Sequence, residues 1–247
     1  MNLKIFNDYQ SLSEYAANEI SKQLKSKADS VICLAAGDTP RLSYQLLAKK
    51  LNEEKIDLSK CTIIGLDEWV GIPPDNEGSC QYFLRNELLN HINLSPSQVH
   101  LFNALSDDLA RECWIMDELI KVKNGLDLMV VGVGMNGHIG FNEPGVPFDL
   151  YSHVIDLDET TQSVGQKYFK TTTALKKGIT LGLRHLIESR KAILIANGSR
   201  KADVIKSIVD GPVDPEMPAS IMKEHNNGWI LIDEGAAGKL VEPRNKE

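Results

Sequence analysis

Leu126-Asp127-Leu128-Met129-Val130-Val131-Gly132-Val133-Gly134-Met135-Asn136-Gly137-His138 begins as an apolar run and ends as a glycine-rich loop. Residues 128–131 are continuously apolar and do not alternate, the pattern of a strand whose two faces are both covered by helices. Such a strand sits inside a parallel sheet, so this stretch predicts a doubly wound, mostly parallel α/β fold. Further strand-like runs lie at 3–6, 31–36, 61–66, 191–196 and 229–232, with helical patterns between them. The first helix, opened by Ser11 or Ser13, repeats Leu12, Tyr15, Ala16, Ile20 and Leu24 at the spacing of one helical face. Others are expected over about 40–53, 79–92, 106–123 and 199–209.

The chain has 247 residues. At about 150 residues per domain that is one large unit or two small ones. No linker, low-complexity stretch or internal repeat divides it, so a single domain over 1–247 is expected. The segment around 140–175 is the least regular, with Pro144, Pro147 and three threonines at 171–173. A lid is therefore expected at about 145–175.

The formal charge is −7, from 27 Lys+Arg against 34 Asp+Glu. That balance argues against a nucleic-acid partner, which requires a clustered basic face. It leaves room for an anionic substrate at a locally positive site. The opening Met1-Asn2-Leu3-Lys4-Ile5-Phe6 runs straight into Asn7, Asp8 and Gln10, so no apolar signal segment is expected. No stretch approaches the roughly 18 apolar residues of a membrane helix. Cys33, Cys61, Cys80 and Cys113 form no CxxC pair and read as reduced thiols. Together these features predict a cytoplasmic protein.

In folds of this class ligands sit beyond the carboxyl ends of the strands. Four such ends carry chemistry. Ala35-Ala36-Gly37-Asp38-Thr39-Pro40 reads as a glycine turn with Thr39 as N-cap and Pro40 at the first helical position. Free N–H groups and a helix dipole there suit a phosphate, although a plain β-to-α turn has the same appearance. Asp67 and Glu68 follow the next strand; neighbours in an extended chain point opposite ways, so one of the two faces a ligand.

The third end holds a literal GxGxxG, but Gly140 and Pro144 interrupt any helix after it, which argues against a dinucleotide fingerprint. It reads instead as a loop presenting His138 together with Glu143, a pair suited to moving protons. At the fourth end, Asn197-Gly198-Ser199-Arg200-Lys201 puts cations in the first turn of a helix. A cation is misplaced there unless it meets an anion, which nominates Lys201 as a phosphate ligand. No His, Cys or carboxylate spacing supports a metal site.

These segments resemble the glucosamine-6-phosphate deaminase/isomerase family. The resemblance rests on Leu66-Asp67-Glu68-Trp69-Val70-Gly71, on Gly137-His138-Ile139-Gly140-Phe141-Asn142-Glu143-Pro144-Gly145, and on Gly211-Pro212-Val213 with Met217-Pro218-Ala219-Ser220-Ile221. Val-Ile-Cys-Leu-Ala-Ala-Gly at 31–37 and Gly-Ile-Thr-Leu-Gly-Leu at 178–183 look closer to its galactosamine-6-phosphate branch.

The resemblance implies isomerisation and deamination of a 2-amino-2-deoxyhexose 6-phosphate to a ketohexose 6-phosphate and ammonia, with no cofactor. It implies Asp67 as the base between C2 and C1, His138 as the ring-opening acid/base, Glu143 as its orienting carboxylate and Asn136 as a third partner. Ala36, Gly37, Asp38, Thr39, Gly137, Lys167 and Lys201 are implied around the substrate and its phosphate. Lys167 stands where the family often has Arg, and Asp38 where it usually has Ser or Gly. The partner implied is a small amino sugar phosphate, with neither nucleic acid nor membrane, and monomer and homo-oligomer are both open. Related 6-phosphogluconolactonases share the fold but lack the Phe-Asn-Glu-Pro segment. A sugar-phosphate-binding regulator and a nicotinamide dehydrogenase are the further alternatives.

Overall fold

The computed structural model describes residues 1–240. All six apolar runs form strands: β1 (Asn2–Phe6), β2 (Val31–Leu34), β3 (Thr62–Gly65), β6 (Leu128–Val131), β9 (Ala192–Ala196) and β10 (Gly228–Asp233). A short β5 (Val99–His100) completes a seven-stranded sheet of order β1-β10-β9-β6-β2-β3-β5, parallel at every pairing. The fold is α/β.

Helices cover both faces, as the apolar runs require. Ile32 and Leu34 of β2 and Leu128 and Val130 of β6 join Leu12, Ile20, Tyr44, Leu47 and Leu84 in one core. Those last residues belong to α1 (Tyr9–Ser26), α2 (Arg41–Glu53) and α3 (Cys80–Glu87). The alternate residues Val31, Cys33, Met129 and Val131 face a second core with Met116, Ile120, Leu186, Ile205 and Ile208. That side is built by α4 (Leu109–Val122), α6 (Leu183–Glu188) and α7 (Ala202–Asp210), with α8 (Glu234–Ala237) at its edge. Each fully buried aliphatic side chain contributes roughly 1.5–3 kcal/mol, so two cores on one sheet give the scaffold its rigidity. The four cysteines are buried and unpaired. Among the described residues no helix is long and apolar enough to cross a membrane.

A second, antiparallel sheet sits over the carboxyl end of the first. It joins β4 (Asp67–Trp69), β8 (Lys177–Thr180) and β7 (His153–Asp156) in the order β4-β8-β7. Several expectations need correction here. The segment 145–175 is not an irregular loop: it contains β7 and α5 (Glu159–Gly165), followed by a 3-10 turn over Gln166–Tyr168. Its Leu157 and Leu175 pack with Trp69 and Phe141 in a small third core. Helix α1 is capped by Asp8, whose side chain accepts the Ser11 N–H at 2.7 Å, and not by Ser11 or Ser13. Thr39 does not cap α2 either. Pro40 holds the cap position without a side-chain bond, and the Tyr9 hydroxyl serves instead. It accepts the Leu42 N–H at 3.2 Å and donates to Thr39 O at 2.9 Å. The third and last expected helices also split, into α3 plus a 3-10 turn at Leu89–His91, and a 3-10 turn at Ser199–Lys201 leading into α7.

Candidate active site

From β2 the chain moves outward through β3 to β5, then returns to place β6 on the other flank of β2. The strand order reverses between β2 and β6, which opens a crevice beyond their carboxyl ends. A cavity of about 470 Å³ lies there. It is lined by Ala36, Gly37, Asp38 and Thr39 after β2, Asp67 after β3, Asn136 and His138 after β6, and Lys167 and Lys201. Of the residues nominated from the sequence, Gly137 and Glu143 stand outside that lining. Gly137 shapes the loop with φ of 88° and accepts the Ala219 N–H at 2.9 Å, while Glu143 stands behind His138.

The two acids of β4 diverge as extended neighbours must. Glu68 is fully buried and turns to the start of α3. Its Oε1 accepts N–H bonds from Trp69 at 2.9 Å and Cys80 at 3.0 Å; its Oε2 accepts the Ser79 hydroxyl at 2.7 Å and the Gln81 N–H at 3.0 Å. Asp67 turns to the cavity, with its Oδ1 buried and lacking any hydrogen-bond partner. Burial pushes the Asp67 carboxyl up to about 7, and the Glu68 charge beside it adds to the rise. A carboxyl held near neutrality can both take and return a proton.

His138 is held from behind. Its Nδ1 lies 2.9 Å from Thr161 Oγ1 and 3.2 Å from Glu143 Oε2. The same Glu143 oxygen accepts Thr161 Oγ1 at 3.0 Å and Asn136 Nδ2 at 2.9 Å. Burial alone raises the Glu143 carboxyl, but the bonds from His138, Thr161 and Asn136 outweigh it and hold the group below its ordinary value. Asn136 therefore grips Glu143, and its Oδ1 accepts the His138 backbone N–H at 3.3 Å; it makes no bond to the ring. The imidazole lies flat enough over Gly134 that a Cβ there would come within 2.4 Å of Nε2. That close approach is the physical use of the second glycine in the GxGxxG string, after which no helix follows.

The family model described as glucosamine-6-phosphate isomerases/6-phosphogluconolactonase matches residues 8–231. The chain belongs to this family. A relative from Clostridioides difficile (strain 630), named glucosamine-6-phosphate deaminase, is 37% identical over 241 residues, covering 97% of each chain. One of the same name from Clostridium novyi (strain NT) is also 37% identical, over 97% of this chain and 100% of its own. The solved structure of a monomeric glucosamine-6-phosphate deaminase superposes with a TM-score of 0.93 at 32% identity, covering 97% of this chain and 100% of that one. The 6-phosphogluconolactonase of Trypanosoma brucei, at 19% identity and a TM-score of 0.77 over 97% of this chain and 98% of its own, shows the fold alone.

This member of the glucosamine-6-phosphate isomerase/6-phosphogluconolactonase family carries a mixed-charge rim on the cavity. Gly37 turns with φ of 119°, open to glycine and strained for other residues. Asp38 does not occlude the cavity: its Oδ2 meets Lys167 Nζ at 2.7 Å and its Oδ1 meets Arg41 at 3.4 Å. Lys201 Nζ donates to Val133 O at 2.5 Å. Burial, with the Lys167 charge added, brings its ammonium down to about 8.

Arg41 and Thr161 are site residues that the sequence reading did not nominate. Arg41 also pairs with Glu87 and lies over the Phe83 ring at 5.0 Å, so its place comes from packing between α2 and α3. For Thr161 a signal existed: Asp158 followed by Glu159 and Thr160 is an N-cap pattern, and Asp158 accepts the Thr160 N–H at 2.8 Å. Two further histidines are buried outside the cavity lining. His185 is buried and 2.7 Å from Asp117, and buried His225 is 3.1 Å from Ser189 Oγ.

Proposed function

We propose that the protein converts a 2-amino-2-deoxyhexose 6-phosphate to the ketohexose 6-phosphate and ammonia. The observation that carries this reading is Asp67, a carboxyl with a buried, unpartnered oxygen in the same cavity as His138. The curated relatives named above as glucosamine-6-phosphate deaminases, matched over nearly the whole chain, support it.

In this reading His138 Nε2 takes the anomeric hydroxyl proton and returns one to the ring oxygen, opening the pyranose. Ionised Asp67 removes the proton from C2 of the open-chain aldehyde as O1 gains one, giving an enolamine, and then returns its proton to C1 as the amine gives one up. The resulting imine at C2 adds water, and the C–N bond breaks to leave the ketone and ammonia. Proton abstraction beside a carbonyl needs a carboxylate of matched basicity over one face of the substrate. The Gly37–Thr39 turn, Lys201 and Lys167 hold the 6-phosphate. Ammonia release on both the gluco and galacto 6-phosphates, with 6-phosphogluconolactone as control, tests the assignment. Lactone hydrolysis without ammonia release would overturn it.

Two rim substitutions have opposite expected signs. Lys201→Met removes a charge-assisted bond of about 1.5–3 kcal/mol, so KM is expected to rise roughly 10–100-fold with kcat nearly constant. In the unsubstituted protein Lys201 is charged below about 8, so KM is expected to climb as pH rises through that value. An unchanged KM in the variant would place the phosphate elsewhere. Asp38→Asn frees Lys167 from an exposed ion pair, and such pairs are worth at most about 1 kcal/mol. KM is then expected to fall by no more than about 5-fold. A rise would show that Asp38 assists binding.

A further inference from the structure

The hydroxyl of Thr161 has one hydrogen to give; its oxygen accepts Asn136 Nδ2 at 3.4 Å, and two other groups lie closer. It stands 3.0 Å from Glu143 Oε2 and 2.9 Å from His138 Nδ1, on a residue only 4% exposed. A carboxylate can only accept, so the hydroxyl hydrogen goes to Glu143. The hydroxyl oxygen then accepts from His138, whose Nδ1 must carry the proton of the neutral ring. The other neighbour of Nδ1 is the same Glu143 oxygen at 3.2 Å, and it demands a donor as well. Nε2 is left as the open nitrogen, lying over Gly134 in the cavity wall.

Thr161 does not come from the loop that carries His138 and Glu143. It is supplied by α5, whose cap residue Asp158 also lies 3.4 Å from Asn136 Nδ2. The loop after β6 provides the imidazole and the carboxylate, and α5 provides the hydroxyl that fixes their geometry.

We propose that Thr161 is a positioning residue for His138, holding its ring in the Nδ1-protonated tautomer and in register with Glu143. The kinetic part rests on the reading of His138 as the ring-opening group; the tautomer does not.

Two variants separate hydroxyl from shape. Thr161→Val keeps the volume and loses the hydroxyl, whereas Thr161→Ser keeps the hydroxyl and loses a methyl. Partners of this kind typically cost 10–100-fold when removed, so Thr161→Val is expected to lose roughly that much kcat with KM within about 3-fold. Thr161→Ser is expected to stay within about 3-fold of the unsubstituted protein. Nitrogen-15 NMR of the His138 ring at neutral pH is expected to show a protonated Nδ1 in the unsubstituted and Ser forms, and a changed or mixed pattern in Thr161→Val. A Ser variant as impaired as the Val variant would overturn the proposal, because packing would then be the operative role. So would an identical nitrogen pattern in all three forms. Should the unsubstituted protein release no ammonia, the catalytic reading fails, and the NMR comparison still decides the tautomer.

Discussion

Asp67→Asn is expected to lower kcat by about 10²–10⁴-fold while leaving KM within a few-fold, since general base catalysis contributes on that scale. Asparagine keeps the shape of the cavity wall and cannot take the C2 proton. Because Asp67 sits near 7 and must be ionised to act, kcat/KM of the unsubstituted protein should rise with pH through about 7. The same substitution should affect stability in the opposite direction. The folded-state value lies above the roughly 3.9 of an unfolded chain, so folding favours the neutral acid. That contribution is complete below about 4 and is lost as pH rises to about 7. Asparagine never ionises, so the variant should gain stability relative to the parent across that window and hold the gain above it. Thermal unfolding at pH 4 and pH 8 measures the difference. A variant that is no more stable than the parent at pH 8 would show that Asp67 is not strained by its burial, and equal turnover would remove it from the mechanism.

Glu68→Ala is expected to be the most damaging change to the fold around the site. Four donors converge on this fully buried carboxylate, and alanine leaves the Ser79 hydroxyl and three N–H groups without it. Each buried group left unsatisfied costs about 1–3 kcal/mol. Part of this is recovered by relaxation of the α3 start, so a loss of at least about 3 kcal/mol is expected. In a chain of this size that corresponds to a Tm lower by roughly 6–12 °C. Calorimetry reads it directly. A drop of under about 2 °C would mean that Glu68 is dispensable for docking α3 on β4. The contrast between adjacent acids is then plain: removing the charge at 67 costs turnover, and removing the side chain at 68 costs the fold.

The sheet was legible because its strands are buried on both faces. Continuous apolar runs such as Val31–Leu34 and Leu128–Val131 have few other places to go, and all six so recognised are strands in the structure. The short pieces were not. β4, β7 and β8 are three or four residues each, and their pairing is decided by partners more than 20 residues distant, such as Trp69 with Gly178. Local pattern carries no information about such pairings. For the same reason the stretch around 140–175, read as the least regular, contains a strand and a helix, with Leu157 and Leu175 packed in the third core.

The caps make the point at single residues. Thr39 has the right chemistry for a cap, but Tyr9, thirty residues earlier, occupies the role because α1 packs against α2.

That Asp67, His138 and Lys201 follow the strands β3, β6 and β9 was legible in the sequence alone, because chain order fixes which residues come after each strand. That only one of two adjacent acids faces the cavity followed locally from an extended backbone, whereas the structure decided that it is Asp67. Only the tertiary structure decided that Thr161 and Asn136 close on Glu143, and that Asp38 turns to Lys167 across 129 positions. Those contacts are set by packing between distant segments. A hydrogen bond depends on distances of a few tenths of an ångström, which no one-dimensional spacing encodes.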